Sequence, residues 1–343
     1  MTAASGSSAE LLAYVGRPAA PPRRSPTPVD EAMIRNWCLA LGDSLPIYSD
    51  HELAARTRWG GIIAPPTMLQ AWTMHDRRQV QPPPGPEDAE AELMALFREQ
   101  GYIGVVATNC EQVYARPLRP GDRVASQATI TDIAGPKRTG LGEGFFVTTE
   151  TEYRDEPGEL VGSMLFRVLR YRAAERDTDA APLPRPGEIS PNPTAVIGRS
   201  VGPVTTETRR YVEVSGGDEL APLEIPLTPT LIISGAIASC DFNVLHHDRD
   251  RAVAAGAPDI FMNILTTNGL VGRYVTEWAG PEGSVEQVAI RLGAPNYPYD
   301  TFRLSGRVSA CEVRDGKQLV ELEIRGTNSL GDHCTGSVQV ELP

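Results

Sequence analysis

A carboxylate, an amide and an imidazole stand at spacings of two and three residues in Cys240-Asp241-Phe242-Asn243-Val244-Leu245-His246. That spacing is too uneven for one helix face, so the segment reads as a loop at an element boundary that can turn three side chains toward one point. A carboxylate and a neutral imidazole that share a water can take one of its protons and deliver one elsewhere, which is general acid–base work. Asp241 and His246 are the candidate pair, and Asn243 is the group that would hold the water or orient a neighbour. A helix expected to begin near Asn263 and Ile264 offers unpaired backbone N–H groups and the positive end of its dipole, a setting that stabilises an enolate oxygen. Together these suit addition of water to a double bond conjugated with a thioester. An Asp ahead of a helix often only caps it, with a nearby His only satisfying it. All three groups just upstream of Gly256-Ala257-Pro258 and a long helix favour chemistry.

The elements that must position this cluster occur twice. Gly42-Asp43-Ser44-Leu45-Pro46-Ile47-Tyr48 is a worn copy at an offset of 240 − 42 = 198, keeping the acid but carrying Leu45 for the amide and Tyr48 for the imidazole. The offset persists: Ile62-Ile63-Ala64-Pro65 falls on Ile260-Phe261-Met262-Asn263, and Ala54 on Ala252. Apolar residues at helical spacing then predict a helix from Ile264 to Trp278, stopped by Gly280-Pro281, and another from about Pro66 through Met68, Leu69 and Trp72. The latter gives out before Pro82-Pro83-Pro84. Strand-like runs follow at 105–114, 122–133, 145–153 and 160–171, and again at 284–292, 302–313, 318–327 and 334–342. Each half thus reads as a long helix followed by an antiparallel meander that buries the helix stripe, and two such halves make an α+β double hot dog. The expected organisation is a degenerate half at 1–172, a proline-rich linker at 173–193 and a catalytic half at 194–343.

With 32 basic and 44 acidic residues the net charge is −12, which argues against nucleic acid as a partner. No apolar run approaches the roughly 20 residues needed to span a bilayer, and the first residues lack a secretory pattern, so the expected location is the cytoplasm. Cys38, Cys110, Cys240, Cys311 and Cys334 are scattered and without CxxC spacing, so neither a metal site nor a disulfide framework is expected. Arg116-Pro117-Leu118-Arg119-Pro120-Gly121-Asp122 reads either as a solvated turn before a strand or as the place where Arg116 and Arg119 meet CoA phosphates. Asp332 and His333 read as a turn at a strand entry.

The cluster resembles the signature of MaoC-like, R-specific enoyl-CoA hydratases and dehydratases, Gly-Asp-x-Asn-Pro-(apolar)-His followed six positions later by a small residue, here Ala252. Cys240 stands for the Gly and Val244 for the Pro. Many relatives open the helix with His-Gly where this chain has Asn263-Ile264; the resemblance gives the backbone N–H of Ile264 the oxyanion role. A closer likeness, to actinobacterial steroid side-chain enoyl-CoA hydratases, covers nearly the whole chain. The stretch from Asp241 through Pro281 and Asn328-Ser329-Leu330-Gly331-Asp332-His333 are similar to the catalytic subunit. Ile34-Arg35-Asn36-Trp37, Ile63-Ala64-Pro65-Pro66 and Gln70-Ala71-Trp72-Thr73-Met74 are similar to the MaoC-like domain of the partner subunit. The resemblance implies hydration of a 2-enoyl-CoA to a 3-hydroxyacyl-CoA with a bulky, steroid-derived acyl group and no cofactor. It also implies that the degenerate half gives the acyl group room, in agreement with a helix shortened by Pro82-Pro83-Pro84-Gly85-Pro86. The partner subunit's zinc-ribbon and OB-fold extension has no counterpart here, which argues against an aldolase partner, whereas a homodimer is compatible. The alternatives are a dehydratase of 3-hydroxyacyl thioesters in lipid or polyketide synthesis, a non-catalytic hot-dog binding subunit, or a thioesterase.

Overall fold

Period-two alternation in both halves builds one antiparallel sheet. The computed structural model describes residues 8–74, 88–173 and 206–343; the Pro82–Pro86 run and most of the 173–193 linker lie outside them. The first half carries α1 (Ser8–Leu12), β1 (Arg23–Arg24), α2 (Glu31–Leu41), α3 (His51–Arg56), α4 (Ala89–Glu99), β2 (Gly104–Tyr114), β3 (Val124–Thr139), β4 (Gly142–Asp155) and β5 (Leu160–Ala173). The second carries β6 (Glu219–Leu227), α5 (Pro229–Ala238), α6 (Arg249–Ala254), α7 (Ile264–Ala279), β7 (Ser284–Leu292), β8 (Asp300–Arg314), β9 (Lys317–Asn328) and β10 (Gly331–Glu341). The strand order is β1-β3-β4-β5-β2-β7-β10-β9-β8-β6. The halves therefore meet at a β2–β7 seam, where Asn109 pairs with Arg291 and Val113 with Gln287.

The repeat read from the sequence is a repeat of structure. Helices α2 and α5 begin at 31 and 229, α3 and α6 at 51 and 249, and short 3-10 turns at 46 and 244, each 198 apart. The caps share the offset. Asp30 accepts from Met33 N–H at 2.8 Å and Thr228 from Leu231 N–H at 3.0 Å, while Asp50 and Asp248 cap α3 and α6 in the same way.

The offset breaks down where α7 begins. At the matching position the first half has two 3-10 turns, Pro66–Met68 and Ala71–Thr73, in place of the expected long helix. Their bonds close over three residues, Met68 N–H to Pro65 O at 3.0 Å and Thr73 N–H to Gln70 O at 3.2 Å. Met68, Leu69 and Trp72 are buried in the main core as their spacing implied. Over seven residues that spacing does not distinguish an α-helix from 3-10 turns, and packing decides. Thr67 lies so close to α7 that a Cβ on Gly272 would stand 2.7 Å from its methyl, and a Cβ on Gly269 would meet Leu41 of α2 at 2.5 Å. These two glycines let the first half press onto α7. Helix α4 covers a smaller core of its own with Leu93, Phe97, Ile130 and Phe145. No helix among the described residues is long and apolar enough to cross a membrane.

His333, read as part of a turn, is instead a buried anchor inside β10 (2% exposed). Its Nδ1 meets Ala294 O at 2.8 Å and its Nε2 meets Thr267 Oγ1 of α7 at 2.8 Å. A carbonyl only accepts, so Nδ1 carries the proton and the Thr267 hydroxyl donates to Nε2. Burial pushes the imidazole from 6.5 down to about 4. Between those values the unfolded chain takes up a proton that the folded chain refuses, so stability falls as pH drops below 6.5. The loss should reach about 3 kcal/mol near pH 4. Urea denaturation of wild type and His333→Gln between pH 7.5 and 4.5 checks this: the variant should be less stable at neutral pH and should lose part of the acid sensitivity.

Candidate active site

Helix α5 ends at Ser239, and Cys240 follows with φ 56°, the left-handed conformation that Gly42 adopts with φ 68° after α2. This reversal throws the chain back so that Asp241 N–H bonds to Ala236 O at 2.9 Å and the carboxylate emerges beside the start of α7. Asp241 Oδ1 accepts from Asn243 N–H at 3.2 Å, and the 3-10 turn Val244–His246 then carries the imidazole back toward the acid. His246 Nε2 and Asp241 Oδ2 stand 3.5 Å apart.

His246 is buried, with its ring edge-on to Phe261 at 5.0 Å between centroids. Its Nδ1 donates to Phe261 O at 2.7 Å, which leaves Nε2 as the acceptor. Burial lowers its pKa below the usual 6.5, against the pull of the Asp241 charge and the Phe261 carbonyl. Nε2 and Oδ2 are thus two acceptors facing one another, and the group that satisfies both is a donor with two protons, a water molecule. Taking one proton makes an imidazolium that the nearby carboxylate stabilises, and its low pKa makes it quick to give the proton up.

Asn263 caps α7: its Oδ1 accepts from Thr266 N–H at 2.9 Å. Its Nδ2 reaches Asp241 Oδ2 at 3.0 Å and Ser239 Oγ at 3.0 Å. The N–H groups of Ile264 and Leu265 lie in the first turn, where no intrahelical acceptor exists, so the expected oxyanion donor opens beside the acid. Asn243 does not join the pair. It is exposed, and its Oδ1 accepts from Leu245 N–H at 3.2 Å, so that oxygen shapes the turn. The amide in contact with the acid is Asn263. Sequence reasoning had seen that residue only as a helix start; the available signal was its match to Pro65 across the repeat.

The two arginines considered for CoA phosphates are not at this cluster. Arg116 is committed to Asp122 at 2.7 Å and Asp155 at 2.8 Å, closing its own turn, and Arg119 is exposed with its backbone N–H on Asp122. Arg116 lines a cavity of about 200 Å³ at the worn copy, together with Leu45, Tyr48, Trp59, Leu69 and Thr276. There the backbone repeats the live site: Asp43 Oδ1 accepts from Leu45 N–H at 3.0 Å. Its chemistry is absent. Tyr48 replaces the imidazole, and burial holds its phenol well above 10. Pro65 and Pro66 stand where the live copy has Asn263 and Ile264, and a proline supplies neither the side-chain amide nor the backbone N–H.

Comparison with known proteins follows the same division. Residues 13–164 match the family profile of the FAS1-like dehydratase domain region. The chain is 40% identical over 183 residues to a probable enoyl-CoA hydratase alpha subunit of Thermomonospora curvata, covering 53% of this chain and 56% of that protein. It is 49% identical over 126 residues to the 3-oxo-4,17-pregnadiene-20-carboxyl-CoA hydratase beta subunit of Mycobacterium tuberculosis, covering 37% of this chain and 95% of that protein. The chain therefore spans about half the length of the alpha subunit and nearly all of the beta subunit. A solved MaoC-like dehydratase superposes with a TM-score of 0.68 at 19% identity, covering 97% of this chain and 99% of that one. A Mycobacterium tuberculosis protein with a double hot-dog fold gives 0.59 at 14% identity, covering 96% of each. The architecture is a double hot dog.

Two substitutions test the local reading. Cys240 occupies a conformation that disfavours a Cβ, so Cys240→Gly should stabilise the protein by about 1 kcal/mol in thermal or urea unfolding. Asp43 is buried, and desolvation raises its carboxyl to about 7; the Leu45 bond opposes that, Glu277 adds to it and Arg273 opposes it. A raised carboxyl pKa stabilises the fold below 3.8, and this stability is lost progressively as pH rises from there to about 7. Asp43→Asn, which keeps the acceptor without the charge, should therefore raise Tm most at pH 8, less at pH 5 and little at pH 4, and leave turnover unchanged.

Proposed function

We propose, since the chain belongs to the MaoC-like dehydratase family, that it adds water across the double bond of a 2-enoyl-CoA thioester to give a 3-hydroxyacyl-CoA. The observation that carries this reading is the pair of acceptors, His246 Nε2 and Asp241 Oδ2, 3.5 Å apart beside the first turn of α7. A water donating to both presents a lone pair to the substrate's β-carbon. As its oxygen bonds there, one water proton passes to the pair and the π electrons move through the α-carbon onto the thioester oxygen. The Ile264 N–H stabilises that enolate, which collapses as the pair returns a proton to the α-carbon. The chemistry closes on these groups without a cofactor. The same steps reversed are a dehydration, so the direction follows supply.

The acyl group in this reading is bulky and steroid-derived. One relative's name, a 3-oxo-4,17-pregnadiene-20-carboxyl-CoA hydratase subunit, supports it. So does the worn half, where two 3-10 turns replace a covering helix over the described residues. The relatives carry their parts as separate alpha and beta subunits, and their matches fall on separate halves of this chain. A single chain here supplies both halves, which meet at the β2–β7 seam and where α2 and the 3-10 segment pack on α5 and α7. Its binding partner is the acyl-CoA substrate.

Asp241→Asn and His246→Ala should each lower hydration of an enoyl-CoA by roughly a hundred- to ten-thousand-fold while the fold survives. The double variant should be little worse than either single one, because the two groups act as a unit. Near-wild-type turnover in a folded single variant would remove that residue from the mechanism. Substrate size is tested separately: a steroidal enoyl-CoA should exceed crotonyl-CoA in kcat/KM by at least about a hundredfold, or roughly 2.7 kcal/mol. The apolar area that a ring system buries, at roughly 25 cal/mol per Å², is ample for that difference. Equal rates would sink the steroid assignment and leave the hydratase assignment standing.

A further inference from the structure

Every hydrogen-bonding atom of the Asn263 side chain is engaged. Thr266 N–H can donate only to an oxygen, so its 2.9 Å bond fixes Oδ1 toward the helix and turns the amide nitrogen away from it. The two amide protons then have one partner each, Ser239 Oγ and Asp241 Oδ2, both at 3.0 Å. Ser239, fully buried, donates its own proton to Gly235 O at 2.8 Å, so its Oγ is free to accept. Asn263 is 2% exposed, so solvent does not compete for these bonds. One side chain thus joins the end of α5, the acid and the first turn of α7.

The protein contains its own control. At the worn copy, where Tyr48 has replaced the imidazole, the residue matching Asn263 is Pro65. The turn there survives without a side-chain amide: Leu45 and Asn243 have nearly the same backbone angles, −63°, 122° and −61°, 124°. An amide at this position is therefore not required to form the loop. It accompanies the acid–base pair.

We propose that Asn263 is a positioning residue for the hydration. Its Nδ2 holds Asp241 Oδ2 at the distance from His246 Nε2 that a water can bridge, and its Oδ1 locks the helix turn that presents the Ile264 N–H. Acid, base and oxyanion donor are set in register by one amide. The inference rests on the hydratase reading, and its test includes a measurement that does not depend on turnover.

Asn, Ser and Asp are comparably good helix caps, so Asn263→Ser and Asn263→Asp both keep an oxygen for Thr266 N–H. Serine removes the donor to Asp241; aspartate sets a second carboxylate against it, and like charges at that range raise a carboxyl pKa. The Ser variant should keep its melting temperature and its KM within about threefold while kcat falls at least tenfold. The Asp variant should shift the acid limb of its kcat–pH profile upward by at least one pH unit. In NMR titrations of the imidazole, the Asp241 charge supports protonation of His246. Releasing that carboxylate in the Ser variant should lower the His246 midpoint, whereas the Asp variant should raise it. A residue that merely caps α7 would leave both variants with wild-type kcat, pH profile and Ser-variant titration, and that result overturns the proposal. A shifted His246 midpoint in a protein that hydrates no enoyl-CoA would remove the hydratase reading while keeping the link from Asn263 to the pair.

Discussion

The structure depends on burying nearly all of one helix. Helix α7 is covered by the sheet, by α2 and α5 and by the 3-10 segment, and 14 of its residues are buried, five of them with polar or charged side chains that need partners. Three of the five, Thr267, Asn268 and Arg273, find partners on other elements, and these come from both halves; Thr276 bonds a carbonyl of its own helix, and Thr266 Oγ1 has no partner among the described residues. Asn268 donates to Gln112 on β2 at 2.9 Å, Thr267 bonds His333 on β10, and Arg273 donates to Leu41 O at the end of α2 at 2.8 Å and to Glu277 at 2.8 Å. A buried polar group without a partner is costly, so each of these contacts fixes the axial position and rotation of the helix. With α7 fixed, its N-terminus meets the loop after α5 at one place, where Asn263 contacts Asp241.

The duplicated halves separate what a backbone does from what side chains do. The reversal at Cys240 and Gly42, the acid that accepts a turn N–H and the 3-10 turn recur with the same offset, so the loop is a property of local chain geometry. Only the live copy fills that loop with an imidazole and backs it with an amide. The worn copy uses the same frame to close a cavity with Tyr48, Trp59 and Leu69, and Trp59 Nε1 donates to Pro281 O at 2.8 Å, tying the first half to the end of α7.

Much of this was legible in the sequence, because strand alternation and the repeat are local signals. Eight of the ten strands were expected, all within three residues of their observed limits except β3, which runs on six residues to Thr139, and α7 began at Ile264 as its cap and apolar spacing required. What was missed depends on contacts far apart in the chain. Asn263 and Asp241 are 22 residues apart, and nothing local says that one donates to the other. Arg116 looked free for a phosphate because Asp155, 39 residues away, is brought to it only by the β3–β4 hairpin. Asn243 looked functional because it is polar and lies between two candidate residues, yet its side-chain oxygen accepts from Leu245 N–H in its own turn. The helix expected at Pro66 failed for a different reason: seven residues of apolar spacing say which side is buried and not how the backbone closes.

The asymmetry between the two copies follows from α7 itself. A helix has one positive end, and the two halves share a single long helix among the described residues. Its N-terminus lies beside the loop at Asp241, where the first-turn N–H groups have no intrahelical acceptor. Its last turn, with Thr276 and Glu277, faces the loop at Asp43, where the helix offers carbonyl oxygens and a carboxylate. The Asp43 carboxyl is raised chiefly by burial, with Glu277 adding to the rise and the Leu45 N–H and Arg273 opposing it. Among the described residues the first half has 3-10 turns where the second has α7, and Pro66 stands at the position of Ile264 with no N–H to donate, so a His at position 48 alone would not recreate the arrangement at Asp241.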